Sequence, residues 1–245
     1  MRYGRLDNLR GITFISMFLY HGVWDLVYLY GVKIDWYTSA AAYVWQQSIC
    51  WTFILLSGFC WSLGKRKVRN GLLVFGAGAL VTAGTILMMS HSPILFGVLT
   101  FLGSAMILWI WPERILRKVM PAAGIAGSFA LFVLCREVNV GWLGFERLQW
   151  ILLPKALYRN LFTAYLGFPD ENFVSTDYFS LIPWFFLFVT GYYCYRFLEQ
   201  KERMDVCCGK QIPVISWIGR HTLFLYLLHQ PLLYGILSLV FSYRN

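Results

Sequence analysis

The chain has 245 residues, 58% of them hydrophobic, 19% aromatic and only 13% charged, with a formal charge of +9. Soluble domains hold about 45–50% apolar and about 25% charged residues, so this composition excludes a water-soluble globule. Apolar runs of about 20 residues recur along nearly the whole length, the pattern of a polytopic membrane protein.

The first run follows a basic start, Arg2, Arg5 and Arg10. It is too long for a signal-peptide core and lacks a small-residue cleavage site, so it is expected to persist as a helix. Within RLDNLRGITFISMFLYHGVWD (5–25), Arg10 and His21 lie eleven positions apart, within roughly 20° of one another at about 3.6 residues per turn. Asp7 and Asp25, 18 positions or about five whole turns apart, share one direction about 40° from His21. The four form one ionisable stripe interleaved with Phe14 and Met17, and the opposite face is Ile12, Ile15, Ser16, Leu19 and Val23. A polar stripe on a membrane helix must face protein or water, and by default marks a functional pathway.

Seven spans are predicted: 9–30, 42–63, 71–89, 94–111, 120–134, 178–198 and 221–243. The second stops at the basic cluster Lys65 to Arg69, and the fourth ends at PERILRK (112–118). The third is rich in Gly and Ala, which permits close helix contact. SHSP (90–93) is a turn, and the His91 within it is expected to have no chemical role. Between spans five and six, the aromatic, partly basic stretch 142–168 reads as an interfacial or re-entrant helix pair. Residues 213–220 read as a short amphipathic lead-in to the last span. With these boundaries, about fifteen of the 21 Lys and Arg fall on the amino-terminal side, which places the N-terminus in the cytoplasm and the C-terminus outside. The same asymmetry explains the positive charge without nucleic acid. The expected architecture is an all-α transmembrane bundle, one domain over residues 1–245, in the cell membrane.

Three constellations carry candidate chemistry. The stripe is the first. His21 lies about 16 Å along the axis from Arg10, near the bilayer midplane if Arg10 is at the surface. Its near-neutral ordinary pKa suits general-base work, and Asp25 one turn on is placed to orient it. Arg10, next to Asp7, offers a planar fork for phosphate or carboxylate. The plainer reading has Arg10 anchoring the helix end and His21 bonded to a neighbouring helix.

The second is FPDENFVSTDYFSLIPWF (168–185). Ser175 and Thr176 before Asp177 and Tyr178 resemble a helix start with Asp177 favourably placed for the macrodipole. Pro183 would free backbone groups inside the membrane, with Trp184 as a cavity wall. The third is WIGRHTLFLYLLHQP (217–231), with Arg220 and His221 at the cytoplasmic mouth and His229 and Gln230 deep in the span before Pro231. Snorkelling of Arg220 and packing of His229 is the bland alternative. Gln46 and Gln47 are further polar candidates. The six cysteines show no metal-ligand spacing and no metal is expected.

The motifs at 5–26, 94–108, 175–193 and 218–231 together resemble bacterial relatives of heparan-α-glucosaminide N-acetyltransferase, within a wider group of transmembrane acyltransferases. The Arg10 to His21 pattern is similar to that of the acyltransferase-3 branch. The resemblance implies an enzyme that moves an acyl group, acetyl above all, from cytoplasmic acyl-CoA to a sugar or related acceptor outside. His21, Asp25 and Asp177 would then be catalytic. Arg10, Arg220 and Asp7 would hold the cofactor, and Trp184, Tyr178, His229, Gln230 and Gln47 would meet the acceptor. A homodimer is one assembly open to such a protein. A transporter or flippase using the same stripe as a solute path is the alternative. No Schiff-base Lys lies in the seventh span, which weighs against a retinal receptor.

Overall fold

The computed structural model describes residues 3–88 and 93–242. Ser90, His91 and Ser92 of the expected turn, and Tyr243 at the end of the last span, lie outside the described residues. The chain packs as two compact units, one from Met1–Phe53 and Glu202–Asn245, the other Ile54–Lys201.

In the first unit, α1 (Gly4–Tyr28) is one uninterrupted helix. It packs on α9 (Pro213–Arg220), which begins at the predicted residue with Pro in the first turn, where a missing donor costs nothing. Small residues set the spacing. A Cβ on Gly11 would strike the Ile215 carbonyl oxygen, and one on Gly219 would strike the Asp7 carbonyl oxygen. α10 (Thr222–Ser242) also packs against α1. Phe14 and Met17 from α1 and Ile49 from α2 (Ala40–Trp61) form the apolar core beside Trp45, Ile218 and Tyr226. The stripe's apolar members therefore face inward, while Ile12 and Leu19 opposite are half exposed.

In the second unit, α3 (Lys67–Met88) lies against α4 (Val98–Leu108). Gly71, Gly78 and Gly103 sit where a side chain would meet Ile107, Thr100 and the Phe75 backbone, so the Gly-rich composition does produce close approach. α4 continues into α5 (Ile110–Leu116) with a bend of 49°. α6 (Pro121–Leu134) pairs with α8 (Leu181–Gln200), joined by a 2.9 Å hydrogen bond between the Ser128 and Thr190 hydroxyls.

Two expectations are corrected in this unit. The stretch after α6 is not a helix pair. It is an antiparallel hairpin, β1 (Trp142–Phe145) and β2 (Leu148–Leu152), followed by a single short helix α7 (Leu161–Leu166). The hairpin's two-residue loop, Glu146 and Arg147, has positive φ at both positions, the twist that matches antiparallel strands. Aromatic and β-branched residues favour strands over helices once such a turn forms. The start of the sixth helix also differs: α8 begins at Leu181, after Ser180, and Ser175 to Tyr178 precede it in irregular backbone. Pro183 consequently stands in the first turn, after a cis peptide bond with an extended Ile182, and removes no hydrogen bond from the helix interior.

Three helices, α3, α8 and α10, are long and apolar enough to cross a membrane, and the bent pair α4–α5 makes a fourth if it is one span. α1 and α2 have the length but carry polar residues, and α6 has 14 residues, short of the roughly 20 a perpendicular span needs. The outward surface of α3 and α10 is apolar, with Leu87 at 85% and Leu239 at 74% exposure. In water such faces would drive association; in hydrocarbon they are the favoured surface.

Candidate functional site

The polar face of α1 meets α10 at two of its four stripe residues. His21 and His229 bring their rings together, with centroids 4.9 Å apart and planes inclined by 59°. One turn further along α1, the fully buried Asp25 accepts a 3.2 Å hydrogen bond at Oδ1 from the Gln230 side-chain amide. His229 is itself buried, and its Nδ1 lies against the Tyr226 carbonyl oxygen. A carbonyl only accepts, so Nδ1 carries the proton and Nε2 keeps its lone pair.

Three polar atoms of this cluster are buried with no hydrogen-bond partner among the described residues: Asp25 Oδ2, His229 Nε2 and Gln230 Oε1. Leaving one such group unmet costs about 1–3 kcal/mol, so each calls for a donor from water or a ligand. All three can accept. Whatever meets them must therefore donate O–H or N–H hydrogens.

The expected Asp25–His21 hydrogen bond does not form among the described residues. Spacing of one turn permits it, but the carboxylate is directed across to Gln230 instead. Toward the start of α1, Arg10 pairs with Asp7 at 3.8 Å. Gly219 abuts the Asp7 carbonyl, so the exposed Arg220, one residue on, stands at the same end of α1 as Arg10. Gln47 accepts a 3.2 Å bond from Trp51 within α2.

Asp177, Tyr178 and Trp184 belong to the second unit. Asp177 does not open the sixth helix; its Oδ2 accepts from the Val98 amide at 3.3 Å and so serves the start of α4. Burial pushes its carboxyl up to about 6, with the Val98 bond acting the other way. The Tyr178 hydroxyl donates to the Ala164 carbonyl oxygen. Trp184 is packed among Phe132, Phe179 and the Arg136 guanidinium 4.7 Å above its ring, a core position rather than a cavity wall.

Sequence reasoning passed over Asn8. Its Oδ1 accepts from the Ile212 amide (3.1 Å) and the buried Ser216 hydroxyl (2.6 Å), and its Nδ2 donates to the Lys210 carbonyl (3.0 Å). It thereby fixes the start of α9, and with it Arg220, against α1. One residue after Asp7, it lies about 100° off the stripe, so periodicity gave no signal.

Residues 2–231 match the family model described as heparan-alpha-glucosaminide N-acetyltransferase, catalytic. The chain belongs to that family. No curated protein and no solved structure matches. Membership confirms the likeness carried by the four motifs, and with the apolar helices it makes this a membrane protein of an acetyltransferase family.

Proposed function

We propose that the chain is a transmembrane acetyltransferase in which His21 and His229 form the acid–base pair for acyl transfer from acetyl-CoA. The observation that carries this reading is the His21–His229 pair beside three unmet buried acceptors. An acceptor hydroxyl or amine entering there gives its hydrogens to Asp25 Oδ2, Gln230 Oε1 and His229 Nε2. As its heteroatom attacks the thioester carbonyl, the imidazole takes the proton; the C–S bond breaks, and the thiolate leaves with a proton returned by the pair. The products are the acetylated acceptor and CoA. Such positioned proton transfer contributes about 10²–10⁴ to rate.

Arg10, held by Asp7, and Arg220 supply guanidinium forks for the nucleotide phosphates at one end of α1. The stripe then runs from donor phosphates to acceptor hydroxyls along a single helix. The chain crosses the cell membrane seven times, with the start of α1 on the cytoplasmic side. In the second unit, the end formed by Lys65, Arg66, Lys67, Arg69, Arg114, Arg117, Lys118, Arg196 and Lys201 has, among the described residues, Glu113 and Glu199 against it, the charge bias of a cytoplasmic face. The hairpin, with Trp150, Ile151 and Leu152 exposed beside Lys155, suits the opposite interface.

The test is incubation of the purified protein with radiolabelled acetyl-CoA and amino-sugar or hydroxyl-sugar acceptors. Label should move to an acceptor with release of an equal amount of CoA thiol. Absence of thiol release with every acceptor, together with no acetyl-CoA binding, would refute the enzyme reading and favour a transporter.

A further inference from the structure

A groove at the basic end of the second unit shares no residue with the cluster around His21 and His229. It has two lobes of about 530 and 460 Å³ that share Arg117, Lys118, Arg196 and Glu199. The acidic groups in it are already engaged. Glu113 accepts from the Tyr192 hydroxyl at 3.1 Å; Glu199 accepts from Tyr195 at 2.7 Å and pairs with Arg196 Nε at 3.3 Å. Arg196 is held in place as well, donating from Nη1 to the Arg117 carbonyl oxygen at 3.0 Å and to Tyr192 at 3.3 Å. Lys67 rests 3.5 Å above the Trp61 ring.

That leaves the side chains of Arg117 and Lys118 exposed and without an ion-pair partner among the described residues. The second lobe is also lined by Met120 and Pro121 at the start of α6, whose N-cap supplies no side-chain cap, so the positive end of that helix lies at the groove. Fixed cations, free cations and a helix N-terminus in one groove make a receptor for a phosphate ester. Its rim says which kind. Val119 and Met120 in its lining are 38% and 64% exposed, an apolar border that a nucleotide would leave in water and acyl chains would cover.

We infer that this groove binds the phosphate headgroup of an anionic membrane phospholipid, with the acyl chains lying over Val119 and Met120. Its residues are other than Arg10 and Arg220, proposed above for the donor's phosphates, and its occupancy is read by binding rather than turnover.

The full chain is purified in detergent, supplied with phosphatidylglycerol or with adenosine 3′,5′-bisphosphate, and adducts are counted by native mass spectrometry. The variant Arg117→Gln/Lys118→Gln should lower phosphatidylglycerol occupancy about tenfold or more, given the worth of two basic groups at an anionic lipid surface. The charge-keeping Arg117→Lys/Lys118→Arg should retain it, and Lys155→Gln/Arg159→Gln, far along the sequence, should leave it unchanged. Lipid occupancy unaffected by the first variant overturns the inference. So does a loss confined to the bisphosphate, which would assign the groove to a nucleotide.

Discussion

The imidazoles of His21 and His229 stand 4.9 Å apart, centroid to centroid, joining the first and last long helices of one unit at a point 208 residues apart in sequence. The unused Nε2 of His229 lies in the same buried cluster as Asp25 Oδ2 and Gln230 Oε1. The account of function rests on that meeting, and the geometry yields expectations beyond the reaction itself.

Gln230 should matter for the acceptor and little for the donor. Gln230→Leu removes the amide that holds Asp25 and one of the unmet acceptors. The expected outcome is a rise in acceptor KM of about tenfold or more, the cost of one buried hydrogen-bonding group, with acetyl-CoA affinity unchanged. Equal weakening of both substrates would show that Gln230 acts only through the fold.

Asn8 should be a stability residue at the donor end. Asn8→Ala removes three hydrogen bonds that tie α1 to α9, at an expected cost of about 1–3 kcal/mol read as a lower thermal midpoint. Asn8→Asp keeps both accepting bonds and should recover most of the loss.

Glycine substitutions should separate by position. Gly11→Ala forces a methyl group against the Ile215 carbonyl and should destabilise by more than 1 kcal/mol, about the overpacking range. Gly76→Ala on α3 meets nothing within 4 Å and should be neutral or stabilising by up to about 1 kcal/mol through helix propensity.

Asp177 should tune stability with pH. Its carboxyl is raised by burial from 3.8 to about 6, so the folded state holds the proton more tightly than the unfolded chain. The stabilisation is complete below the unfolded value and is lost as pH rises through 6. Thermal midpoints measured from pH 5 to 7 should fall across that window. Asp177→Asn, which can still accept from Val98, should flatten the fall and be the more stable form at pH 7.

Much of this arrangement is written in local pattern. The stripe on α1 follows from helical period, and the structure buries its interleaved Phe14 and Met17 while leaving Ile12 and Leu19 outward. Pro213 and Arg220 bound α9 as predicted because a proline starts it and a conformational break ends it. Partner choice is another matter. Periodicity gives Asp25 a face but cannot say that its carboxylate turns to Gln230, 205 residues away, rather than to His21 one turn back. Local pattern likewise gives Asp177 to the helix that follows it, because its capping target, Val98, lies 79 residues away in sequence. The hairpin was hidden because Trp, Leu and Phe at 142–152 suit an interfacial helix as well as a strand, and the turn that decides, Glu146-Arg147, lacks the usual Asn-Gly signal.

The most direct test follows acetyl transfer and thiol release for the wild type, His21→Ala and His229→Ala, with acetyl-CoA affinity measured by calorimetry on the same preparations. Each variant should lose about 10²–10⁴ in kcat while binding acetyl-CoA as tightly as the wild type. Wild-type turnover in either variant would contradict the paired-histidine account.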